Sequence, residues 1–487
     1  MNCETARPKG LASIRFLDSL NIRVLLLVLA LTPPMVICYH RVQMDDPFIT
    51  YRYARNLSEG RGFLYNPGEQ VLGTTAPLYA LMLALMGRLS DNYPLLSSTV
   101  SGIALGISSL LVYRILAALK QAAAGGIAAV LVVLNPLLGD ALGFELNLFL
   151  ALILGAYAAA FSDRPNLAAF LLALGTLTRG DGLVPAGLIL SYEVWKHRHR
   201  AWMPLLIYGA VVGGWAAYAI WTFGSPFPNT LAVKRAMGES GLWRPYWHGA
   251  LRVGYLYLKQ TPLYLWFVVV GVLGCAKLFK IDRRIYLIVG WTGLVFVAYT
   301  AMGIPEGFNY YAGMVPVLMV VSGLGVVHLT DRIVAQWPTW CRGWAVAGVL
   351  IPLLAALLVP TLREIGEQPE PRHPAYRTVG KWLASETPHD ASVGLVEIGI
   401  VGYYSNRRVV DVCGLITPGV GPHMASGDIA WPIRTHRPDY VLLHDPLWTS
   451  LEGPIASAAW FQEGYERVRT FDADEPYRLA LYRRKKG

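Results

Sequence analysis

The sequence predicts a mainly α-helical, multi-pass membrane protein with a small soluble α/β domain at its C-terminal end. Hydrophobic residues make up 54% of its 487 residues and charged residues only 15%, whereas a soluble chain carries about 25% charged residues. The mean hydropathy is +0.41, and apolar runs recur up to about residue 360. We therefore predict a membrane domain over residues 1–360 and a soluble domain over residues 361–487.

The distribution of charge indicates which partners to expect, and the spacing of the cysteines indicates whether a metal site or disulfides are present. The formal net charge is +10, but much of the excess lies in short loops between apolar runs, where Lys and Arg orient helices. We therefore expect membrane lipids, and no nucleic acid, as a partner. The cysteines are scattered, with no metal-ligand spacing and no evident disulfide framework: Cys3, Cys38, Cys275, Cys341 and Cys413.

The first span follows a basic N-terminal segment that contains Arg7, Lys9 and Arg15. The apolar run Val24–Cys38 lacks a small-residue cleavage site at its end. We interpret it as an uncleaved first span with the N-terminus in the cytoplasm.

Apolar runs that could span the membrane recur along the chain, at residues 22–39, 95–118, 124–138, 146–161, 167–178, 183–195, 203–222, 261–278, 285–302, 310–329 and 344–360. The short run Pro77–Ser90 is interpreted as an amphipathic helix along the outer interface. With about 11 spans counted in this way, the basic clusters fall in the cytoplasm, as the positive-inside rule requires: Lys120, Arg164, Lys196–Arg200, Lys277–Arg284 and Arg332–Arg342.

This topology places the segments with chemically useful side chains on the outer face of the plasma membrane. They are the first outer loop (residues 41–94), the Gly139–Asn147 turn, Thr178–Asp181, the loop Gly224–Tyr255, Pro305–Tyr310 and the C-terminal domain. In that domain we expect a helix over Tyr376–Ser385 and strands at Ser392–Val396, Arg408–Val412, Tyr440–Leu443 and Arg478–Tyr482. No phosphate loop or triad is evident there, so a domain that caps the site or binds a partner is favoured over a second enzyme.

Two adjacent aspartates open the first outer loop. Asp46 precedes Pro47, a standard helix start, so Asp46 has a structural reason to be there. Asp45 has none, and we expect Asp45 to act as the catalytic base with Asp46 as its partner and helix cap. Carboxylates beside a membrane span must stay in water or line a cavity.

The helix expected after Pro47 carries Phe48, Tyr51, Arg52 and Arg55 on one face. Two interpretations stay open for the arginines: contact with lipid phosphates, or binding of a substrate phosphate. Further along the loop, Thr74 and Thr75 are candidates for capping the next helix or for binding a sugar hydroxyl.

The acidic pair, the elements DDPFITYRYARNL, NPGE and GTTAPLY, and an acidic residue in a later outer loop resemble the GT-C superfamily of integral membrane glycosyltransferases. The first loop is most similar to the mycobacterial terminal arabinofuranosyltransferases, and more distantly to the protein O-mannosyltransferases. The resemblance covers roughly residues 22–330. It implies a GT-C fold, a polyprenyl-phosphate sugar donor and transfer with inversion to an acceptor on the outer face.

The resemblance also implies that Asp45 and Asp46 act on the acceptor, and Glu145 matches a second acidic position less sharply. An inverting transfer needs one carboxylate to take the acceptor proton and positive charge on the leaving phosphate. Candidates for the phosphate are Arg52, Arg55, Arg179 and Lys234, although Arg179 is favoured to pair with Asp181. Candidates for the sugar or acceptor are Glu145, Thr74, Thr75, Asn229 and Tyr310.

No cofactor is expected. Asp45, Asp46 and Glu145 offer oxygen ligands to a divalent cation, but a donor with one phosphate gives less reason for a bridging metal. The best expectation is transfer of arabinofuranose to a hydroxyl of a cell-envelope glycan, in cell-wall biogenesis. The alternatives are transfer of mannose or aminoarabinose to protein or lipid, a transporter of polyprenyl-linked glycans, or a scaffold without catalysis.

Overall fold

The computed structural model describes residues 19–40, 44–198, 201–278, 280–336, 342–366, 372–472 and 478–485. Several residues named above lie outside these ranges: Arg7, Lys9, Arg15, Cys3, Cys341 and residues 199–200 of the basic cluster.

Helices dominate the first part of the chain, as predicted. They are α1 (Ser19–Tyr39), α2 (Pro47–Ser58), α3 (Pro77–Met86), α4 (Tyr93–Ala118), α5 (Ala122–Val133), α6 (Pro136–Asp140), α7 (Leu146–Phe161), α8 (Pro165–Thr178), α9 (Leu183–His197), α10 (Trp202–Phe223), α11 (Asn229–Glu239), α12 (Tyr246–Gln260), α13 (Tyr264–Leu278), α14 (Ile285–Ala301), α15 (Phe308–Ala312), α16 (Val315–Gln336) and α17 (Arg342–Gly366). Each predicted apolar run contains a helix.

Five helices of the described ranges are long and apolar enough to cross a membrane: α1, α4, α10, α16 and α17. Shorter apolar helices are α3, α5, α7, α8, α13 and α14. The chain thus has the helices of a multi-pass membrane protein. The count of about 11 spans and the sides on which the termini lie stay predictions.

Helix α3, in the run interpreted as interfacial, has ten residues and is about 15 Å long. That is half of the roughly 30 Å that a span must cover. Tyr79 and Leu83 on α3 are buried, and the helix packs against α2, α4 and α8. Its length agrees with a helix that does not cross the membrane.

The C-terminal part is the expected α/β unit. After α18 (Arg372–Glu386), its five-stranded sheet has the order β2-β1-β3-β5-β4, with β1 parallel to both β2 and β3. The strands are β1 (Ser392–Leu395), β2 (Arg408–Asp411), β3 (Tyr440–Asp445), β4 (Tyr465–Phe471) and β5 (Arg478–Arg484), and the remaining helices are α19 (Gly399–Ser405), α20 (Val420–Ala425), α21 (Trp431–His436), α22 (Gly453–Ala456) and α23 (Ala459–Gly464).

The sequence prediction missed β4. This strand lies at the edge of the sheet and reads YERVRTF, with four consecutive exposed residues in the middle. An edge strand of this kind gives neither an apolar run nor a clean alternation, whereas the four predicted strands are largely buried.

The C-terminal domain and the first loop share one hydrophobic core. Phe48 and Tyr65 of the loop belong to the same buried cluster as Val379, Ile400 and Ile416 of the domain. Helix α19 packs on α2, and α20 packs on α11. The domain is therefore seated on the loop that carries the acidic pair.

A candidate active site between the first loop and the C-terminal domain

Asp45 is buried and tied to the C-terminal domain. Its Oδ2 accepts a hydrogen bond from the amide of Gly399 at 2.7 Å, and its Oδ1 accepts one from the amide of Ile400 at 2.6 Å. Burial raises the pKa of the Asp45 carboxyl well above its usual value, and the charge of Glu397 adds to this, while the two amides oppose it. The inference that Asp45 has no structural duty is therefore wrong, because its carboxylate caps α19.

Asp46 is the exposed member of the pair. It occupies the position before α2, but its side chain makes no capping hydrogen bond, so the predicted side-chain cap is absent. Within the described residues its carboxylate has no hydrogen-bond or ion-pair partner. Asp46 thus offers an open carboxylate, and the member of the pair that caps a helix is Asp45, at the start of α19 and not of α2.

Arg52 and Arg55 both hold the C-terminal domain. Arg52 is fully buried, and its guanidinium donates to the carbonyls of Gly402 at 2.9 Å and Arg407 at 2.7 Å. Arg55 lies over the ring of Tyr403 at 4.4 Å. The sequence left two interpretations for these arginines, contact with a lipid phosphate or with a substrate phosphate, and neither matches the contacts observed. Because Arg52 is fully buried, a phosphate does not have access to its guanidinium.

Two glycines of α19 allow its close approach to the loop. A Cβ atom on Gly399 would lie 1.9 Å from the carbonyl oxygen of Asp45, and one on Gly402 would lie 1.9 Å from the hydroxyl of Tyr65. Contacts this short are forbidden to any side chain, so the grip on Asp45 depends on the absence of a Cβ at Gly399.

Lys234 is one of the cations predicted to bind the donor phosphate. It lies half-buried on α11, whose Val233 and Met237 are buried against the C-terminal domain. The pKa of the Lys234 ammonium is raised by Tyr310, and also by the negative charge of Asp46. Among the described residues the ammonium has no hydrogen-bond or ion-pair partner, so it stays an unpaired donor on which the charge of Asp46 acts.

Arg179 lies in a closed cluster of charges. Its Nη1 donates to Glu145 Oε1 at 2.9 Å and its Nη2 to Asp181 Oδ2 at 3.2 Å. Tyr299 donates its hydroxyl to the same oxygen of Asp181 at 3.0 Å. The pairing of Arg179 with Asp181 that the sequence favoured is present, and Glu145 joins it.

Of the remaining predicted site residues, two make structural hydrogen bonds and two have accessible side chains. The side-chain amide nitrogen of Asn229 donates a hydrogen bond to the carbonyl oxygen of Gly414 at 2.7 Å. Thr74 is buried and accepts the amide hydrogen of Ala76 at 3.2 Å, a local turn before α3. Thr75 is exposed and Tyr310 is half-buried, so these two stay available to a sugar or acceptor.

The contacts of Asp45 and Arg52 join the first loop to segments that are far from it in sequence. Residues that sequence reasoning missed lie just beyond β1 to β3, where Glu397, Cys413 and His444 follow or end parallel strands. Ligands of open α/β sheets bind outside the carboxyl ends of the strands. That rule, applied to the predicted strand Ser392–Val396, could have found Glu397.

No group of three His, Cys, Asp or Glu side chains suited to a metal occurs in the part of the chain that the structure describes. In particular, Glu145 is paired with Arg179 and does not join Asp45 and Asp46. The expectation that no metal is needed stays a prediction.

Comparison with known proteins gives one family match and several similar structures. Residues 363–482 match a family model described as a domain of unknown function (DUF8728). No curated protein matches the chain significantly by sequence.

The similar structures are membrane transferases. An oligosaccharyltransferase from Archaeoglobus fulgidus, tethered with an acceptor peptide, superimposes with a TM-score of 0.59 at 13% identity over 94% of this chain and 74% of its own. An oligosaccharyltransferase of the same archaeon, AglB, in complex with an inhibitory peptide and a dolichol-phosphate, gives a TM-score of 0.57 at 11% identity, over 85% of this chain and 69% of its own. ArnT from Cupriavidus metallidurans, bound to undecaprenyl phosphate, gives 0.60 at 10% identity, over 95% and 97%. Because these matches span the membrane helices and the C-terminal domain together, the chain has the fold of the GT-C membrane glycosyltransferases.

Proposed function

We propose that this protein is an inverting glycosyltransferase of the plasma membrane. It moves a sugar from a polyprenyl-phosphate donor to a hydroxyl of a cell-envelope acceptor on the outer face. The observation that carries the proposal is the open pair of charges at the junction of loop and domain. Asp46 and Lys234 are both unpaired among the described residues, and the charge of Asp46 acts on Lys234.

The carboxylate of Asp46 and the ammonium of Lys234 match the two needs of the reaction, a base for the acceptor and a positive charge for the leaving phosphate. In an inverting transfer the acceptor oxygen attacks the anomeric carbon as the bond to the phosphate oxygen breaks, through an oxocarbenium-like state. The acceptor proton needs a base, and the Asp46 carboxylate is exposed and free to take it. The phosphate leaves with the bonding electron pair, and the Lys234 ammonium stabilises the negative charge that develops on it.

Asp45 supports this chemistry in a different way. Its two hydrogen bonds to α19 fix the loop on which Asp46 lies, so we assign proton removal to Asp46 and loop positioning to Asp45. Tyr310, which raises the pKa of Lys234, and the exposed Thr75 are assigned to the sugar or acceptor. The fold of transferases that were solved with dolichol-phosphate and undecaprenyl phosphate supports a donor of this lipid class.

Arabinofuranose is the proposed sugar, on the resemblance of the first loop to the arabinofuranosyltransferases. Mannose and aminoarabinose are the competing sugars. The test is a panel of synthetic polyprenyl-phosphate sugars, incubated with the full-length protein in lipid nanodiscs with and without EDTA. We expect transfer from the arabinofuranose donor that EDTA leaves unchanged and that Lys234→Met abolishes. Lys381→Met, on the solvent-exposed side of α18, is the matched control.

Transfer from another donor in the panel would replace the proposed sugar and keep the reaction class. Loss of transfer in EDTA would overturn the metal-free chemistry. Failure with every donor, with a protein that is folded, would contradict the proposed function.

A further inference from the structure

A cavity lies where the first outer loop meets an edge of the C-terminal sheet. Its volume is about 300 Å³, at the lower end of the range for small-molecule pockets. It is lined by residues 69–71 of the loop, residues 408–410 of the edge strand β2, Thr417, Pro418 and His436. Gln70 and Pro418 are exposed, so the cavity opens to solvent. Neither Asp46 nor Lys234 lines it.

The loop side of the cavity is built by the NPGE element, which the catalytic assignment does not use. The side-chain amide of Asn66 donates to the carbonyl of Val409 at 2.9 Å and accepts the amide hydrogen of Val409 at 3.0 Å. Asn66 thus pairs with the edge strand as a neighbouring strand would. Its nitrogen also donates to Glu69 Oε2 at 2.8 Å, which holds the Glu69 carboxylate at the cavity.

This pairing argues against an extended peptide as the ligand. Peptides bind at sheet edges by adding a strand to unpaired backbone groups. In β2 the amide and carbonyl of Val409 are taken by Asn66, and the amide of Asp411 is taken by the Thr417 hydroxyl at 2.8 Å. A ligand of this cavity must therefore be held by side chains.

The side chains of the cavity combine donors with acceptors. Arg408 donates from Nε to Glu69 Oε1 at 2.6 Å, and within the described residues both of its terminal nitrogens are free to donate. His436 Nε2 is buried and has no hydrogen-bond partner in the same part of the chain. The exposed amide of Gln70 also makes no hydrogen bond to a described residue. Unused donors and acceptors thus face one small space.

This combination favours a neutral ligand with many hydroxyls. The Glu69 carboxylate repels a phosphate, and the Arg408 guanidinium repels a cation. A hydroxyl both donates and accepts, so a saccharide can bond to a carboxylate, a guanidinium and an amide at once. Burial lowers the pKa of the His436 imidazole, and the charge of Arg408 lowers it further, while Glu69 opposes the change. The neutral ring offers one donor and one acceptor.

The cavity adjoins the helix that carries Lys234. The first residue of α11 is Asn229, whose amide hydrogen is accepted by the carbonyl of Leu72 at 2.8 Å. Its side-chain amide donates to the carbonyl of Gly414 at 2.7 Å. Leu72 directly follows the loop part of the lining, and Gly414 lies three residues before Thr417. The segments that line the cavity therefore continue into the residues that hold the start of α11.

We propose that this cavity binds a saccharide unit of the acceptor glycan, away from the hydroxyl that is glycosylated. The inference rests on the proposed function and names the part of the acceptor that the C-terminal domain recognises. Hydroxyls of the saccharide accept from the terminal nitrogens of Arg408 and donate to the Glu69 carboxylate. His436 Nε2 and the Gln70 amide bond to further hydroxyls.

The test is binding of synthetic tetrasaccharides of arabinofuranose and of mannose to the full-length protein in nanodiscs, measured by saturation-transfer difference NMR against empty nanodiscs. Arg408→Gln removes the charged donors, so the dissociation constant should rise about ten- to a hundredfold. His436→Phe keeps an aromatic ring but removes Nε2, and we expect a rise of about three- to tenfold. In sugar transfer both changes should appear in KM for the acceptor rather than in kcat.

Matched controls lie in the same domain outside the cavity. Arg483 forms an exposed ion pair with Glu466 at 2.7 Å, comparable to the pair in the cavity. His423 stacks on Trp431 with ring centroids 4.3 Å apart, and Trp431 also contacts the ring of His436. Arg483→Gln and His423→Phe should leave the affinity unchanged. If one test variant does not fold, as judged by its melting temperature, the other decides the question.

No saturable binding of either tetrasaccharide, or equal affinity in the folded test variants and their controls, would overturn the subsite. Binding of a Ser/Thr-rich octapeptide in place of the saccharides would also overturn it. Transfer with an unchanged acceptor KM in both test variants would overturn the subsite and leave the proposed function intact. If no donor supports transfer, the proposed function fails, and the binding titration, which needs no turnover, still decides the cavity.

Discussion

Glu145, Arg179 and Asp181 form one cluster of opposite charges, and Asp46 and Lys234 form a second. In the first cluster the guanidinium donates to both carboxylates, and the side chains are 7–13% exposed. In the second, neither group has a hydrogen-bond or ion-pair partner among the described residues, and the carboxylate is exposed. The difference separates charges that hold the fold from charges that have no partner within the described residues.

The largest expected effect is on the closed cluster. Arg179→Met leaves two buried carboxylates without their cation, so the free energy of unfolding should fall by about 3–5 kcal/mol. Thermal unfolding in detergent measures this loss. Lys234→Met is the control from the open pair and should leave the melting temperature nearly unchanged; equal losses in the two variants would contradict the distinction.

The next effect concerns turnover. Lys234→Met removes the cation that we propose stabilises the leaving phosphate, so transfer should slow by about 10²- to 10³-fold, measured as initial rates with a polyprenyl-phosphate sugar. Lys234→Arg should restore part of the rate, because it keeps the charge but changes its geometry. A rate within twofold of wild type in the methionine variant would remove Lys234 from the site.

A smaller effect is expected where the two regions of the molecule are joined. Gly399→Ala places a methyl group 1.9 Å from the Asp45 carbonyl oxygen, and such overpacking costs about 1–3 kcal/mol. We expect a lower melting temperature together with faster proteolysis of the C-terminal domain. Gly453→Ala, at a position where a Cβ meets nothing within 4 Å, is the control that should change neither.

The smallest effect is expected for Arg55→Gln. This substitution removes the cation over the ring of Tyr403 and should cost about 0.5–1 kcal/mol of stability, measured by chemical denaturation. The transfer rate should stay near that of wild type. A tenfold loss of rate at unchanged stability would instead return Arg55 to the phosphate.

Local pattern predicted the helices well, because apolar runs and Asp-Pro starts are local signals. The run Pro77–Ser90 was placed outside the spans on length and charge; α3 has ten residues, and its place relative to the membrane stays a prediction. Pattern failed where partners are distant in sequence. The sequence near Asp45 contains no signal that its carboxylate accepts hydrogen bonds from the amides of Gly399 and Ile400, which lie more than 350 residues later.

The same reason explains the arginines. Arg52 and Arg55 were placed on one helix face correctly, but the surface that this face meets is α19 of the C-terminal domain. A single sequence indicates which side chains lie on the same face of a helix. It does not indicate which segment, distant in sequence, will pack against that face. Lys234 was one of the candidates for the phosphate, and within the described residues it has no partner, so its role stays a prediction.

The most direct test of the central claim compares Asp46→Asn with Asp45→Asn in sugar transfer and in melting temperature. The account predicts that Asp46→Asn lowers transfer by about 10²- to 10⁴-fold at an unchanged melting temperature, whereas Asp45→Asn lowers the melting temperature because an amide is a poorer acceptor for two amide hydrogens. Full transfer in folded Asp46→Asn, with transfer abolished in an equally stable Asp45→Asn, would contradict the assignment of the open carboxylate as the base.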